Sequence, residues 1–502
     1  MSFEPNFENL LLSQMALELT DKIKVQAKTE ISTDEISKIL NVNAFAHVEK
    51  KEVTDGKIDY CGKVVFFVCY QSANNEILKS ECKSEFSGQI KNEKITKACK
   101  VVLSCEVEKA EADASGVKLS LLANLVIDGE AHDCLQLKVA SGGENLVCES
   151  LEKEYSSGLG VKESVYPIEE EFEFNCVVKE MLSQRAQAVI TACQCGVDCI
   201  IVDGEVYLSA ILLQNDGKTD IIRKNEKIPF RAEIECEDAM PAYNATAKAS
   251  VKSFKTDISV DQDKNISVVN CSVLLQLEGE AVTSKNVTVI KDAFSKQREI
   301  KLLKDELSYY KPLEPRTDSV KATGVSTVSE LPVGANCLAC GGERFEIASI
   351  SPTENSVKIT GVLCMTGYFT DGEEKVFTRK METPVEAEIE NLFSDCDFKV
   401  KGVVVSPSVK ILSLTETEIQ GTVLFTLYPK QRKSLEYVKD VLDVGEKKVN
   451  DSAISVYIPS EGEELWSLAK RLNVSPEELE KTNPELQFPL NGSERIVVYR
   501  QK

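Results

Sequence analysis

Few residues in this chain have the type and spacing that catalysis or metal binding requires. Histidine, the usual general acid or base near neutral pH, occurs only twice, as His47 and His132. Neither belongs to a His-x-x-x-His pair, and the local sequence His132-Asp133-Cys134 follows a Gly-Glu dipeptide that suggests a hairpin turn. We therefore expect these side chains to lie in a solvated loop and to form no metal site.

Cysteine spacing offers a second candidate for chemistry. Residues 337–340 read Cys-Leu-Ala-Cys, the spacing of a redox motif or of half a zinc site, but neither a second ligand pair nor a βαβ pattern accompanies them. Cys193, Cys195 and Cys199 favour core packing, because positions two apart share one face of a strand. The 17 cysteines, in a chain whose acidic start does not resemble a secretory signal, predict reduced thiols in a cytosol.

The remaining catalytic patterns are also missing from the sequence. It contains no Gly-x-x-x-x-Gly-Lys-Ser/Thr phosphate loop, which excludes the common route to ATP hydrolysis. Carboxylate pairs such as Glu463-Glu464 are too frequent among 81 acidic residues to identify an acid–base dyad. We expect no enzymatic activity, no cofactor and no bound metal; an enzyme with an unrecognised site is a class that these observations oppose.

Charge and length limit the partners and the number of domains. The chain has 502 residues, with 59 Lys and Arg against 81 Asp and Glu, so its net charge of −22 disfavours nucleic acid and anionic lipid. It contains no apolar stretch of about eighteen residues, which predicts no membrane insertion. A chain this long is too large for one core and predicts several domains.

A repeated strand pattern supplies the architecture. Residues 55–90, 202–234 and 355–389 each read as a strand, a polar turn and a second strand, with the turns at 73–76, 215–218 and 370–373. Aligning the three stretches with one another matches Gly62 with Ala210 and with Gly361. A period of roughly 150 residues suits whole domains. The sequence thus predicts a mainly β fold with three tandem β-sandwich-like domains.

Composition places the boundaries. Gly- and Ser-rich residues 140–160 and the charged, Pro-broken residues 296–316 read as joints, and a short polar linker spans 447–452. The predicted units are residues 1–150, 160–295, 317–445 and 453–502. Within the first, apolar residues at 6–24 are spaced like an amphipathic helix, which either packs on the first sandwich or binds a partner.

The last fifty residues predict a small βααβ module. A strand near 456–458 and a turn at Gly462 precede a first helix whose apolar residues fall at helical spacing. Ser475 and Glu478 predict a capping box at the start of a second helix, with Pro476 at its first position. Residues 496–499 are predicted to form a closing strand. This pattern resembles a LysM domain, which is a binding module without chemistry of its own.

The resemblance implies where this module binds. In glycan-binding LysM domains, the loop after the first strand and the loop after the second helix form a groove for N-acetylglucosamine chains. The matching positions here, for a partner or a glycan, are Gly462, Glu463, Glu464, Leu465, Trp466, Asn483, Pro484, Glu485 and Leu486. The family pattern Gly-Asp-Thr-Leu reads Gly-Glu-Glu-Leu here, which removes a hydroxyl and favours a protein partner. Trp466, the only tryptophan, either covers the edge of the module or anchors a partner.

The combination of strand repeats and a terminal LysM module resembles the SPOCS-domain proteins of endospore-forming bacteria, over about residues 30–502. The resemblance implies a non-enzymatic scaffold or adaptor, made in the mother-cell cytoplasm and recruited to the forespore surface during spore coat assembly. It implies that the LysM domain binds the ATPase of the coat's basement layer. The alternative is a peptidoglycan-binding protein of the cell wall or spore cortex, against which the missing export signal argues.

Overall fold

The computed structural model describes residues 4–31, 35–214, 220–261, 266–371, 375–393, 395–447 and 454–499. Three consecutive repeats, each made of two facing antiparallel sheets, are followed by a small unit that contains two short helices. The mainly β fold predicted from the sequence is therefore confirmed. Over these residues, no helix has the length and apolar character needed to cross a bilayer.

The first repeat shows how the strands arise from the sequence. In β3, Ile58, Tyr60, Val64 and Phe66 alternate with more exposed neighbours, so one face of the strand enters the core. The turn before this strand is made by Asp55 and Gly56, the latter at φ +82°. The strands of this repeat are β1 (Pro5–Glu30), β2 (Ile36–Thr54), β3 (Lys57–Ser72), β4 (Ile77–Lys91), β5 (Lys100–Ser115) and β6 (Lys118–Gly143), in sheets ordered β1-β6-β5 and β2-β3-β4.

The second and third repeats keep this plan but divide the first strand in two. The break follows Gly160 in one and includes Pro315 in the other, residues that interrupt strand pairing. The strands of the second repeat are β7 (Leu146–Gly158), β8 (Lys162–Phe174), β9 (Val178–Cys195), β10 (Cys199–Gln214), β11 (Ile221–Glu235), β12 (Asn244–Asp261) and β13 (Ile266–Ser295). Those of the third are β14 (Arg298–Pro312), β15 (Arg316–Thr327), β16 (Asn336–Pro352), β17 (Ser356–Thr370), β18 (Val376–Glu390), β19 (Cys396–Ile411) and β20 (Glu416–Glu446).

The structure corrects the register between the repeats. Gly62 lies opposite Phe86, and the residue opposite Phe230 in the second repeat is Gly204, whereas Ala210 lies opposite Lys224. The predicted alignment of Gly62 with Ala210 was therefore wrong by six positions. The dipeptide Asp203-Gly204 lies inside β10, whereas the same dipeptide Asp55-Gly56 forms the turn before β3. The predicted turn at 215–218 lies outside the described residues.

The N-terminal segment is a strand, so the predicted helix over residues 6–24 is wrong. Among the β1 side chains that the structure describes, Leu10, Leu12, Leu19 and Val25 are buried. A register shift between Met15 and Leu17 moves the buried positions from even to odd numbers. Buried and exposed side chains alternate along a strand, and the shift interrupts this alternation. The interrupted pattern contains three- and four-residue spacings that resemble those of a helix.

The segments predicted as joints are also strands. The range 140–160 contains the end of β6 and all of β7, and 296–316 contains β14. Strands β7 and β14 pair with the far halves of β13 and β20, and β1 pairs with the far half of β6. The resulting three two-stranded ribbons form what we call the stem. The stem has its own core of Leu10, Leu12, Leu137, Val139, Tyr155, Val287, Val289, Tyr309, Leu435 and Tyr437. The limits predicted from composition leave β7 and β14 outside the units to which they pair.

The three repeats also meet at the opposite end, around a pseudo-threefold axis. Strand β9 contacts β3 and β4, β16 contacts β10 and β11, and β2 contacts β18, so the contacts close into a ring. An apolar cluster fills the junction, with contributions such as Leu40, Ile211 and Tyr368 from the three repeats. Asn41 donates a hydrogen bond of 2.9 Å to the buried Tyr368 hydroxyl, which links the first repeat to the third.

Glycine 204 provides a test of this packing. A Cβ at this position would lie 2.4 Å from Phe230 Cζ and 2.6 Å from the Val189 carbonyl oxygen, whereas a Cβ at Gly142 would meet nothing within 4 Å. Gly204→Ala should therefore destabilise the protein by about 1–3 kcal/mol, the usual effect of overpacking. The midpoint of chemical denaturation measures this, and Gly142→Ala is the matched control. Equal midpoints for the two variants would contradict the packing of Phe230 on Gly204.

Candidate functional site

The C-terminal unit contains the residues predicted to bind a partner. It consists of β21 (Ile454–Tyr457), α1 (Leu465–Leu472), α2 (Pro476–Thr482) and β22 (Ile496–Tyr499), and the two strands pair antiparallel. The predicted capping box of Ser475 and Glu478 is present, with Pro476 in the first turn. Leu468, Ala469 and Leu479 are buried in its core. The start of α2 was predictable from the sequence because its cap consists of local interactions.

Three of the nine predicted groove residues maintain the unit itself. Gly462 has φ +79° and donates its N–H to the Leu490 carbonyl at 2.7 Å. The Glu463 carboxylate accepts from the Ser460 N–H at 3.1 Å and pairs with Arg471. The Asn483 amide donates to the Val497 carbonyl and accepts from the Val497 N–H, both at 2.8 Å. These polar atoms are already engaged inside the unit.

The other loop residues divide between core and solvent. Leu465 and Leu486 are half-buried and pack on the apolar core of the unit. Glu464, Pro484 and Glu485 are exposed. The structure thus brings the two predicted loops together in one small unit but leaves few free polar groups along them.

Trp466 contacts the second repeat. Its indole N–H donates to Asp292 Oδ2 at 2.8 Å, and its ring lies 5.5 Å from the ring of Phe294. Lys470, one helical turn later, places its ammonium 2.6 Å from the same carboxylate oxygen. Of the two roles considered for Trp466, the structure supports covering the edge of the unit, against the stem.

A second group of contacts completes this docking. Asn473, the C-cap of α1, donates to the Lys296 carbonyl at 2.7 Å, and Lys447 donates to Asn473 Oδ1 at 2.8 Å. Lys296 forms an ion pair of 2.6 Å with Glu478. The stem side of this interface was not predicted from the sequence, because Asp292 and Trp466 are 174 residues apart and no local pattern connects them.

The opposite face of the unit is aliphatic and open to solvent. Ile454 and Val456 on β21 and Ile458 just after it occupy alternate positions and are 60%, 64% and 66% exposed. Tyr499, the cross-strand neighbour of Ile454, is 59% exposed. We call these four residues the ribbon face. Contiguous apolar side chains on a small surface are typical of protein–protein contact sites, and alternation in β21 is the sequence signal that could have identified them.

A buried charge cluster lies where the stem meets the sandwiches. The Glu130 carboxylate, with a side chain only 5% exposed, lies 2.7 Å from Lys248 and 3.0 Å from Lys430, which belong to the other two repeats. His132 lies 3.4 Å from it. Burial opposes the charge, but His132 and the two ammonium groups outweigh burial and hold the pKa of Glu130 well below its ordinary value. The solvated loop predicted around His132 is wrong, since this segment is part of β6; the side chains of Asp133 and Cys134 lie outside the described set.

Two further carboxyl groups near this cluster are shifted in the opposite direction. Burial raises the pKa of Glu278 and that of Glu280 to about 7 in each case, with a smaller contribution from the negative charge of Glu130. Both residues lie on β13. The positive charge of Lys248 partly offsets the rise in pKa at both, together with Lys51 at Glu278 and Lys430 at Glu280. The axis of the protein therefore contains carboxyl groups that titrate near neutral pH.

The cysteines are placed by packing. Cys193 and Cys195 are buried, as expected, and their thiols approach the carbonyls of Ala245 and Asn244 at 3.3 Å and 3.6 Å. Burial raises the pKa of Cys340 to about 12 and that of Cys337 to about 11, so both are protonated at neutral pH. Over the described ranges, no three His, Cys, Asp or Glu side chains converge in a metal-binding arrangement.

Comparison with known proteins identifies one segment. Residues 35–115 match the family model described as the SipL SPOCS domain. They span β2 to β5, and the same order of strands recurs as β9 to β12 and as β16 to β19. No curated protein and no solved structure matches the chain. The matched family is a non-enzymatic family of sporulation proteins, which supports a sporulation-related role for this chain.

Asp292→Ala should release the C-terminal unit from the stem. Burial opposes the charge of Asp292, but hydrogen bonds from Lys470 and Trp466 outweigh it and lower the pKa of this carboxyl. Its contribution to docking is therefore complete above the ordinary carboxyl pKa, about 4, and is lost as the pH falls through the lower docked value. Because Trp466 is the only tryptophan, its fluorescence and acrylamide quenching report the docking directly.

We expect red-shifted, more strongly quenched emission for Asp292→Ala at neutral pH, and the same change for the wild type only in acid. Glu306→Ala, an exposed acid on β14 away from the unit, is the control. Identical quenching of all three proteins at neutral pH would rule out the docked arrangement.

Glu278→Gln should change the pH dependence of stability. A carboxyl whose pKa is raised to about 7 in the folded state contributes stability that is complete below its unfolded pKa and is lost as the pH rises through the folded value. The wild type should therefore lose more stability than Glu278→Gln between about pH 5 and pH 8. Denaturation midpoints across this range measure the difference, and parallel pH profiles would contradict the raised pKa.

Proposed function

We propose that this protein is a non-enzymatic scaffold and adaptor of the endospore coat. It acts on the mother-cell side of the forespore surface, and its C-terminal unit is a LysM domain that recruits it by binding the ATPase of the coat's basement layer. The observation that carries this proposal is the SPOCS-domain match in the first repeat, together with the recurrence of the matched strand order in the two other repeats.

The joined repeats suit a scaffold. Each contributes a ribbon to the stem and a sheet to the ring, so the three domains present one connected surface with fixed relative positions. The C-terminal unit is docked on this body through Asp292 and Lys296. An adaptor needs both a rigid body and a docked unit, because the unit binds the partner while the body makes lateral contacts.

The chemistry of the C-terminal unit favours a protein partner over a glycan. Sugar binding requires free hydrogen-bonding groups, yet the polar atoms of Glu463 and Asn483 bond within the unit. The indole N–H of Trp466 already donates a hydrogen bond to Asp292. The ribbon face instead offers exposed aliphatic side chains, which a protein surface can bury with a gain of about 25 cal/mol per Å².

The test compares capture of two ligands by the full-length chain. The purified basement-layer ATPase should be retained by the wild type, and Val456→Asp should weaken that binding about tenfold or more, since a charge on the ribbon face would be desolvated at the interface. Val325→Asp is the matched control, because Val325 is an exposed valine on β15 in the body of the protein. Peptidoglycan sacculi are offered in parallel.

Retention of the ATPase by the wild type and by Val325→Asp, with loss for Val456→Asp, supports the adaptor. Sedimentation with sacculi and no ATPase binding would replace it with the cell-wall function. ATPase binding that Val456→Asp leaves unchanged would remove the ribbon face from the interface.

A further inference from the structure

A large cavity lies between the three repeats, next to the Glu130 cluster. Its volume is about 2040 Å³, and strands β2, β5, β9, β12, β16 and β19 supply most of its wall. Pockets for small molecules usually measure about 300–1,000 Å³. This cavity is therefore large enough for a segment of polypeptide.

The cavity is bordered by strand edges. Residues 41–49, 102–111 and 248–258 line it without interruption. If the face of a strand formed the wall, only alternate residues would line it, because successive side chains point to opposite sides. These ranges belong to β2, β5 and β12, each of which is the terminal strand of its sheet. The wall therefore includes main-chain groups that sheet pairing leaves available.

One contact shows that these edge groups accept donors from elsewhere. The Ala249 carbonyl oxygen on β12 accepts a hydrogen bond of 3.3 Å from Lys401 Nζ on β19, a strand of another repeat. An extended chain laid along such an edge would offer both donors and acceptors in register, which is how β-strand addition recognises a peptide.

The wall of the cavity does not share the strong negative charge of the whole protein. Its residues include 14 Lys and Arg and 12 Asp and Glu, a difference of 14 − 12 = +2, whereas the whole chain has 59 − 81 = −22. All three repeats contribute cations, among them Lys83, Arg185 and Lys399. A wall with a slight excess of cations repels an anionic ligand far less than the strongly acidic protein as a whole would.

Several of these cations are not engaged by the protein. Over the described ranges, the side chains of Lys179, Arg185, Lys252 and Lys255 form no hydrogen bond or ion pair, and all four line the cavity from β9 and β12 of the second repeat. Burial lowers the pKa of Arg185. Glu343 and Glu106 attract its charge electrostatically but form no hydrogen bond with it. A guanidinium has five N–H donors, so a carboxylate entering the cavity would meet ready hydrogen-bond donors.

We propose that this cavity binds an extended acidic segment of a partner protein, which adds along a strand edge and places its carboxylates against Arg185 and Lys252. This assignment rests on two features of the cavity, its strand edges and its cations. The strand edges match the main chain of a peptide, and the cations match its acidic side chains. Inorganic polyanions would contact only the cations, and basic peptides would pair only with the strand edges.

The experiment titrates the full-length chain into labelled peptides and follows fluorescence anisotropy. The probe has about eight residues, a usual strand length, and alternates Glu with Val. A peptide alternating Lys with Val and unlabelled tripolyphosphate are the comparisons. We expect the acidic peptide to bind, to weaken with added salt, and to lose affinity about tenfold or more in Arg185→Gln/Lys252→Gln.

The double variant Lys321→Gln/Lys358→Gln removes two exposed cations outside the cavity and should bind like the wild type. If Arg185→Gln lowers the unfolding midpoint, Lys252→Gln/Lys255→Gln replaces it, since Lys255 is exposed and Lys252 is only half-buried. Binding of the basic peptide with equal affinity would overturn the charge assignment. No binding of the acidic peptide, or an equal loss in the Lys321→Gln/Lys358→Gln control, would overturn the site.

Discussion

The structure depends on three strands that each belong to two cores. Strands β6, β13 and β20 have 26, 30 and 31 residues, several times the usual strand length of about five or six. In β13, Leu275 is buried in the second sandwich and Val287 in the stem. A one-residue slip would turn the apolar side chains of both halves outward. Sandwich and stem therefore fix each other's register, and the repeats are joined through strands that no flexible linker interrupts.

Electrostatics adds a second constraint at the junction of these cores. Glu130 has polar partners from the first, second and third repeats, in His132 and in the ammonium groups of Lys248 and Lys430. Separating one repeat would leave a buried charge without its partners, which costs far more than the ion pairs contribute to a correctly assembled protein. The cluster thus discriminates against misassembled arrangements. The adjacent cavity then encloses strand edges that would invite aggregation if they faced solvent.

The sequence predicted features that depend on local interactions. The alternation in β3 and the capping box at Ser475 both follow from contacts within a few residues. Prediction failed where the local pattern was ambiguous. The register shift near Met15 produced helix-like spacings, and the dipeptide Asp203-Gly204 inside β10 is the same as the turn dipeptide Asp55-Gly56. It also failed wherever contacts span the chain. Nothing near Trp466 indicates that its partner is Asp292, because the stem that carries Asp292 exists only after all three repeats have assembled.

The docking of the C-terminal unit determines which of its surfaces can act. A unit held only by its connecting segment would present every face in turn. The contacts of Trp466 and Asn473 with the stem instead commit the α1 side to the body of the protein. Val456 and its neighbours on the ribbon face are on the exposed side. Because the orientation is already fixed, a partner that binds there would lose less rotational freedom than with a tethered module, which favours affinity without additional contacts.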